Sequence, residues 1–178
     1  MTDYKVFETE RLILKPTSEE DVDFYLELWN CSSWIKYIGD RNIKTIEKVK
    51  EFILTKINPQ HERLGYSNFT VIRKLDHKKI GSCGLYDREG LDGVDIGFAF
   101  LPKFEKKGYA FEASNKVMSI AKDEFGIDEL MAITTKDNFS SQNLLERLGL
   151  ISEGTIRLPN ENKDVLLYKV RLNKSKNR

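Results

Sequence analysis

Val94-Asp95-Ile96-Gly97-Phe98-Ala99-Phe100-Leu101-Pro102-Lys103-Phe104-Glu105-Lys106-Lys107-Gly108-Tyr109-Ala110-Phe111-Glu112-Ala113 is the most informative run in this 178-residue chain. Its first eight residues alternate. Val94, Ile96, Phe98 and Phe100 fall on one side of an extended strand, and Asp95, Gly97, Ala99 and Leu101 on the other. Pro102 stops the strand, a short charged loop follows, and Gly108 stands where a helix begins. From Tyr109 the period changes, and Ala113, Val117, Ile120 and Ala121 become core candidates of one helix. A strand that feeds a glycine-bearing loop at a helix start gathers free backbone N–H groups at one point, and the helix dipole adds partial positive charge. Such a place suits a phosphate or pyrophosphate.

Upstream, residues 67–73 and 79–85 read as strands joined by a turn at Asp76-His77-Lys78, so that with residues 94–101 they form a meander. An earlier strand spans residues 11–15 and is ended by Pro16. Ser18 with Asp21 marks a helix start, and Val22, Tyr25, Leu26 and Trp29 share that helix's apolar face. A second amphipathic helix begins at Thr45, carries Val49, Phe52, Ile53 and Ile57, and ends at Asn58-Pro59. Downstream, a helix over 109–125 closes at Gly126, a strand covers 130–135, and a short helix over 140–148 closes at Gly149. One or two closing strands follow, the last over 165–172. This order predicts a mixed α/β domain with a largely antiparallel first half. Residues 1–178 make one domain, with a core at about 7–172 and a polar tail at 173–178.

Charge and rare residues exclude several classes of function. Lys plus Arg (29) balances Asp plus Glu (28), so a net charge of +1 gives no basis for general nucleic-acid binding. The apolar runs are too short to span a bilayer, and no apolar leader opens the chain, so no membrane role is expected and a cytoplasmic place is. Cys31 and Cys83 show no metal-type or disulfide pairing, and His61 and His77 are isolated, so no metal site is expected. Cys83 has no histidine at a helpful spacing and reads as a sheet residue rather than a nucleophile.

Three segments together carry a resemblance. They are Thr9-Glu10-Arg11-Leu12-Ile13-Leu14-Lys15-Pro16, then Ile96-Gly97-Phe98 with Gly108-Tyr109-Ala110-Phe111-Glu112-Ala113, then residues 138–150, which open Asn138-Phe139-Ser140-Ser141 and close Glu146-Arg147-Leu148-Gly149-Leu150. Over about residues 7–172 the chain resembles the GNAT superfamily of acetyl-CoA-dependent N-acetyltransferases. Within it the chain looks closest to the RimJ/RimL-type branch, the ribosomal-protein N-terminal acetyltransferases and their relatives. The resemblance implies the GNAT acyl-CoA N-acyltransferase fold: a mostly antiparallel sheet with flanking helices and one parallel strand pair, 94–101 beside 130–135, splayed at one end. Acetyl-CoA is then the acetyl donor, with its pantetheine arm in the splay. The acceptor is an amine, a protein N-terminus first, or else a polyamine or other small amine. A non-catalytic acyl-CoA sensor is the rival on the same fold, and a homodimer is compatible with either.

The resemblance also assigns residues. Lys106, Lys107, Gly108, Tyr109 and Ala110 form the pyrophosphate loop, although Glu105 stands where the family pattern has Arg or Gln. Backbone N–H groups of Phe98, Ala99 and Phe100 polarise the thioester carbonyl. Asn138 holds the pantetheine or the acetyl-bearing end, and it equally suits a helix cap. The tyrosine that many GNAT enzymes place before the helix glutamate is replaced by Leu145, and Ser141 matches the serine of the RimJ/RimL pattern as donor to the departing thiolate. Asp95 is the candidate base, its alternative being a water-facing strand residue. Asp87, Glu89, Asp92 and Asp95 form an acidic run that either draws a cationic amine or is a solvated loop. Trp29, Trp34 and Tyr37 belong to the acceptor side, with Trp34 either a contact or a packed aromatic.

Overall fold

The structure is a computed structural model that describes residues 4–172; the tail at 173–178 lies outside the described residues. Strands β1 (Phe7–Glu8), β2 (Leu12–Pro16), β3 (Asn68–Arg73), β4 (Lys78–Asp87), β5 (Val94–Phe100), β6 (Glu129–Thr134), β7 (Ile151–Ile156) and β8 (Val165–Arg171) form one sheet. Its order is β1-β2-β3-β4-β5-β6-β8-β7, and every pairing is antiparallel except β5 with β6. That parallel pair needs a crossover, which is supplied by α5 (Tyr109–Asp123). The apolar positions expected for α5 are sealed: Ala113, Val117, Ile120 and Ala121 are all buried, and the helix packs on β4 and β5.

The β5–β6 register lasts two residues, Val94 opposite Leu130 and Asp95 opposite Met131. Both strands run on, to Phe100 and Thr134, still paired to β4 and β8 but not to each other. Past Asp95, backbone groups of β5 that point toward β6 therefore meet no ladder partner. This opens the middle of the sheet rather than its edge.

The helical segments between β2 and β3 differ from the expectation. After α1 (Val22–Asn30) comes a short α2 (Ser32–Tyr37) that the sequence reading did not mark. Then α3 (Ile46–Phe52), capped by the Thr45 side chain, does not end at Asn58-Pro59. It passes through a wider π turn over Ile53–Ile57 into α4 (Asn58–Leu64), which stops at left-handed Gly65. Proline lacks the N–H that a continuous α-helix would use and crowds the preceding turn. A π turn just before it loosens that turn, so the chain continues as a new helix with Pro59 in its first turn. Pro16 does end β2, as its last paired residue, opposite Phe69. The last helix, α6 (Phe139–Arg147), follows β6 and precedes the closing β7–β8 hairpin.

A polar cluster pins α1 under the sheet. The Tyr25 hydroxyl lies 2.9 Å from Thr17 Oγ1 and 3.1 Å from Thr70 Oγ1, and Thr70 donates to Asp21 at 2.9 Å. Asn68 Nδ2 donates to both Thr17 and Tyr25, and the Asn68 carbonyl accepts from Tyr86. Satisfied buried networks of this kind fix one arrangement of elements.

Candidate active site

A cleft of about 930 Å³ opens where β5 and β6 part. Phe98, Ala99 and Phe100 line it from one strand, and Ala132, Ile133 and Thr134 from the other. The 105–110 loop and the start of α6 bound it on one side, and α1, α2 and the 38–45 loop contribute Trp29, Trp34, Tyr37 and Arg41.

The loop before α5 is built to present backbone donors. Lys106 and Gly108 take positive φ, 57° and 81°, and residues 105–108 are exposed. Glu112 N–H closes the first turn on the Gly108 carbonyl at 3.1 Å, while the N–H groups of Gly108, Tyr109, Ala110 and Phe111 find no acceptor among the described residues. A Cβ at Gly108 would lie 3.2 Å from the Arg11 guanidinium, in a conformation L residues rarely adopt. Four idle donors at a helix N-terminus fit a diphosphate. Glu105 and Lys106 both line the cleft.

Arg11 braces this loop from β2. Its Nε lies 2.6 Å from Glu112 Oε2, its own N–H donates to Glu112 Oε1 at 2.9 Å, and its guanidinium donates to the Lys107 carbonyl at 3.0 Å. Thr9 completes the clamp, donating to Glu112 at 2.6 Å. Burial pushes the Glu112 carboxyl up, but the hydrogen bonds from Thr9 and Arg11 outweigh it and hold it below the usual range. The first and second motif segments of the sequence are thus one physical unit.

At the other side of the gap, Asn138 caps α6, its side-chain oxygen accepting from Ser141 N at 3.2 Å. Ser141 lines the cleft, and its hydroxyl makes no hydrogen bond among the described residues. Leu145 is buried and packs as core.

Asp95 does not face water. It is 1% exposed and lines the cleft. Its Oδ2 accepts from Arg88 Nε at 2.6 Å, and its Oδ1 is buried without any hydrogen-bond partner. Burial pushes its pKa up from 3.8 to about 6, against the pull of Arg88. Tyr86 stays protonated, its pKa raised well above 10 by burial, with its hydroxyl committed to Asn68. Cys83 is buried, its thiol pushed up to about 12 by that burial and lying 3.7 Å from Ser114 Oγ, so it is no nucleophile.

The family model of the acetyltransferase (GNAT) domain matches residues 11–151. The chain belongs to the GNAT acetyltransferase family. It is 26% identical over 155 residues to the uncharacterized N-acetyltransferase YoaA of Bacillus subtilis (strain 168), covering 86% of this chain and 87% of that protein. Its fold is like that of RimL, a ribosomal L7/L12 alpha-N-protein acetyltransferase solved with coenzyme A, at a TM-score of 0.80 and 17% identity over 94% of this chain and 98% of that one. It is also like that of a spermidine N-acetyltransferase from Vibrio cholerae solved with CoA and spermine, at a TM-score of 0.75 and 16% identity over 92% and 96%. The last two likenesses are of fold. GNAT acetyltransferases use acetyl-CoA, and the splayed pair, the idle loop amides and the capped α6 of this GNAT domain fit it.

Of the residues marked from sequence, Asp95, Phe98, Ala99, Phe100, Lys106, Gly108, Tyr109, Ala110, Asn138 and Ser141 all line this one cleft. Lys107 does not; its carbonyl serves Arg11, and its ammonium sits 5.9 Å from the Phe104 ring. Within the acidic run, Asp87 pairs with Arg63 and Asp95 with Arg88, while Glu89 and Asp92 are exposed. Arg11, Arg41, Tyr86 and Arg88 were missed as site residues. Arg11 stood inside a quoted motif, so its signal was present. The others depend on contacts that no local pattern announces. Among the described residues no cluster of His, Cys, Asp or Glu could hold a metal ion, and no helix is long and apolar enough to cross a membrane.

Proposed function

We propose that this N-acetyltransferase acts on a protein N-terminal α-amine, in the manner of the RimJ/RimL branch, by direct attack with no acyl-enzyme. The observation that carries this reading is Asp95: a buried carboxyl in the cleft with one bare oxygen and a pKa of about 6. The acceptor must lose a proton before it attacks. An α-ammonium has a reference pKa of about 8, whereas an alkylammonium of the lysine type lies near 10.4. A base near 6 lies about two units below the first and more than four below the second; the difference between them belongs to the amines, and Asp95 is a base that can bridge the smaller gap.

The chain's residues then divide the work. Asp95 Oδ1 takes the proton, while Arg88 on Oδ2 keeps enough carboxylate ionised at neutral pH. Acetyl-CoA supplies the activated acetyl group. The amides of Gly108 to Phe111 and the Lys106 ammonium bind the diphosphate, those backbone amides of the Phe98–Phe100 stretch that face the gap polarise the carbonyl, and the Ser141 hydroxyl donates to sulfur as it takes up charge. Leu145 in the tyrosine position has no proton to give; of the cleft-lining donors on α6, Ser140, Ser141 and Asn143, it is Ser141 that matches the RimJ/RimL serine and is assigned the task.

The test is thiol release from acetyl-CoA with tetrapeptides bearing a free N-terminus, their N-terminally blocked forms with a free lysine amine, and spermidine. Free N-termini are expected to be the substrates. Faster release with spermidine or the lysine amine, and none with the free N-termini, overturns the assignment of acceptor.

A further inference from the structure

Arg41 lies at the acceptor end of the cleft, on the loop after α2. Its guanidinium carbon is 5.0 Å from the Phe52 ring centroid, 5.1 Å from Trp34 and 5.8 Å from Trp29. Three rings from three helices hold it in place, so little rotamer freedom remains to be lost when it is used. A guanidinium has five N–H donors; Arg41 is solvent-exposed where it lines the cleft, and it has no carboxylate or carbonyl partner among the described residues, so its donors are held by water that an anionic ligand could replace. Trp34 adds a second donor beside it, this one buried: Trp34 lines the cleft, and its Nε1–H has no acceptor. Arg88 lies close enough to act on the Arg41 charge, and Arg88 is the residue bonded to Asp95. The unpaired cation is therefore at the same end of the cleft as the base. Of the carboxylates in the lining, Asp87 and Asp95 already have arginine partners, Glu105 belongs to the phosphate loop, and Glu161 comes from the loop between β7 and β8. Nothing answers Arg41.

We infer that Arg41 is the specificity residue of an anion subsite, so that the preferred acceptor amine carries a carboxylate on the same molecule. The inference rests on the acceptor reading above and narrows it. Two sources supply that chemistry: an acidic side chain next to the N-terminus of a peptide, or the α-carboxylate of a free amino acid. Both place a negative group a few bonds from the amine that Asp95 deprotonates. Polyamines, with positive charge where the carboxylate should be, are disfavoured by the same cation.

Two measurements test it on the full chain. Thiol release compares Ser-Glu-Ala-Ala amide, Ser-Lys-Ala-Ala amide, free L-glutamate and spermidine. The glutamate peptide is expected to exceed the lysine peptide by about 10-fold or more in kcat/KM, the range of a charge-assisted hydrogen bond. In Arg41→Gln that margin collapses through KM for the amine, while KM for acetyl-CoA stays put; Arg41→Lys, keeping the charge but not the fork, retains part of it. Free glutamate outrunning both peptides keeps the subsite, assigns the small-molecule source and overturns the protein N-terminus as acceptor. The second readout needs no turnover. Both tryptophans of the chain, Trp29 and Trp34, flank Arg41, so titration with the glutamate peptide is expected to change their emission saturably, and not in Arg41→Gln. Turnover without preference, or a preference that survives Arg41→Gln, overturns the subsite and leaves the transferase reading standing. Saturable, Arg41-dependent binding without turnover of any amine keeps the subsite and sinks the acceptor reading. Neither binding nor turnover sinks both.

Discussion

Replacing Asp95 with Asn should make the protein sturdier and nearly inactive at once. The carboxyl is 1% exposed, and burial holds its pKa at about 6 rather than 3.8. The folded chain therefore keeps a proton that the unfolded chain releases between those two values. The stability contributed by this group is greatest below pH ~4 and is lost as pH climbs through about 6. A rise of about two pKa units corresponds to roughly 3 kcal/mol, at 1.36 kcal/mol per unit. Asparagine has the shape of the protonated acid, still offers an oxygen to Arg88 Nε, and carries no charge to desolvate. At pH 8 the Asn variant is accordingly expected to gain up to about 3 kcal/mol, or about 6–12 °C in Tm for a chain of this size. At pH 4 the two proteins should melt together, as far as this residue is concerned. Activity should move the other way: loss of a general base costs about 10²–10⁴ in rate, and the rising limb of the pH profile near 6 should vanish. Calorimetric melts at pH 4 and 8, with kcat/KM across the same range, measure all of this. A variant that melts lower at pH 8 and keeps the wild-type pH profile would refute both the burial argument and the role of the carboxylate.

Gly108→Val should weaken acetyl-CoA affinity by about 10-fold or more, because the side chain crowds the loop and Arg11, and the strain at φ 81° should lower Tm by several degrees; equal affinity in titration calorimetry excludes the loop as the diphosphate cradle. Ser141→Ala should lower kcat by about 10- to 100-fold with KM values nearly fixed, as expected for a donor used only as charge develops on sulfur; unchanged kcat removes that role. Arg11→Ala should raise KM for acetyl-CoA several-fold with little effect on kcat, since it frees Glu112 and the Lys107 carbonyl; an effect confined to kcat would contradict a purely bracing role.

The parts of the fold that were legible in the sequence are those that carry their own period. The alternation through 94–101 and the spacing of Ala113, Val117, Ile120 and Ala121 reflect surfaces buried along whole elements. What escaped is short or settled by distant contacts. β1 has two residues, and β7 is an exposed edge strand interrupted by Gly154, so neither shows a pattern. The passage from α3 to α4 was read as a stop because Asn-Pro usually is one, and only the π turn before it makes continuation affordable. In the site, Asn138 and Ser141 could be found by motif because the α6 cap imposes a local spacing. The burial of Asp95 could not, because it comes from Arg88 folding back seven positions and from β6 packing alongside. Arg41 sits in a loop with no period, and its rings come from α1, α2 and α3.

A sheet that parts after two parallel rungs behaves as two leaves on a narrow spine. Amides of Ile96 to Phe100 and Ala132 to Thr134 that look into the opening should exchange with deuterated solvent faster than their central place in the sheet suggests. An occupant that bonds to them acts as an inserted strand, slowing that exchange and stiffening both leaves together. Saturation at 100 times Kd adds about 2.7 kcal/mol of protection against unfolding. The empty protein should therefore be the one that proteases nick first, and each copy that holds the cofactor should last longer.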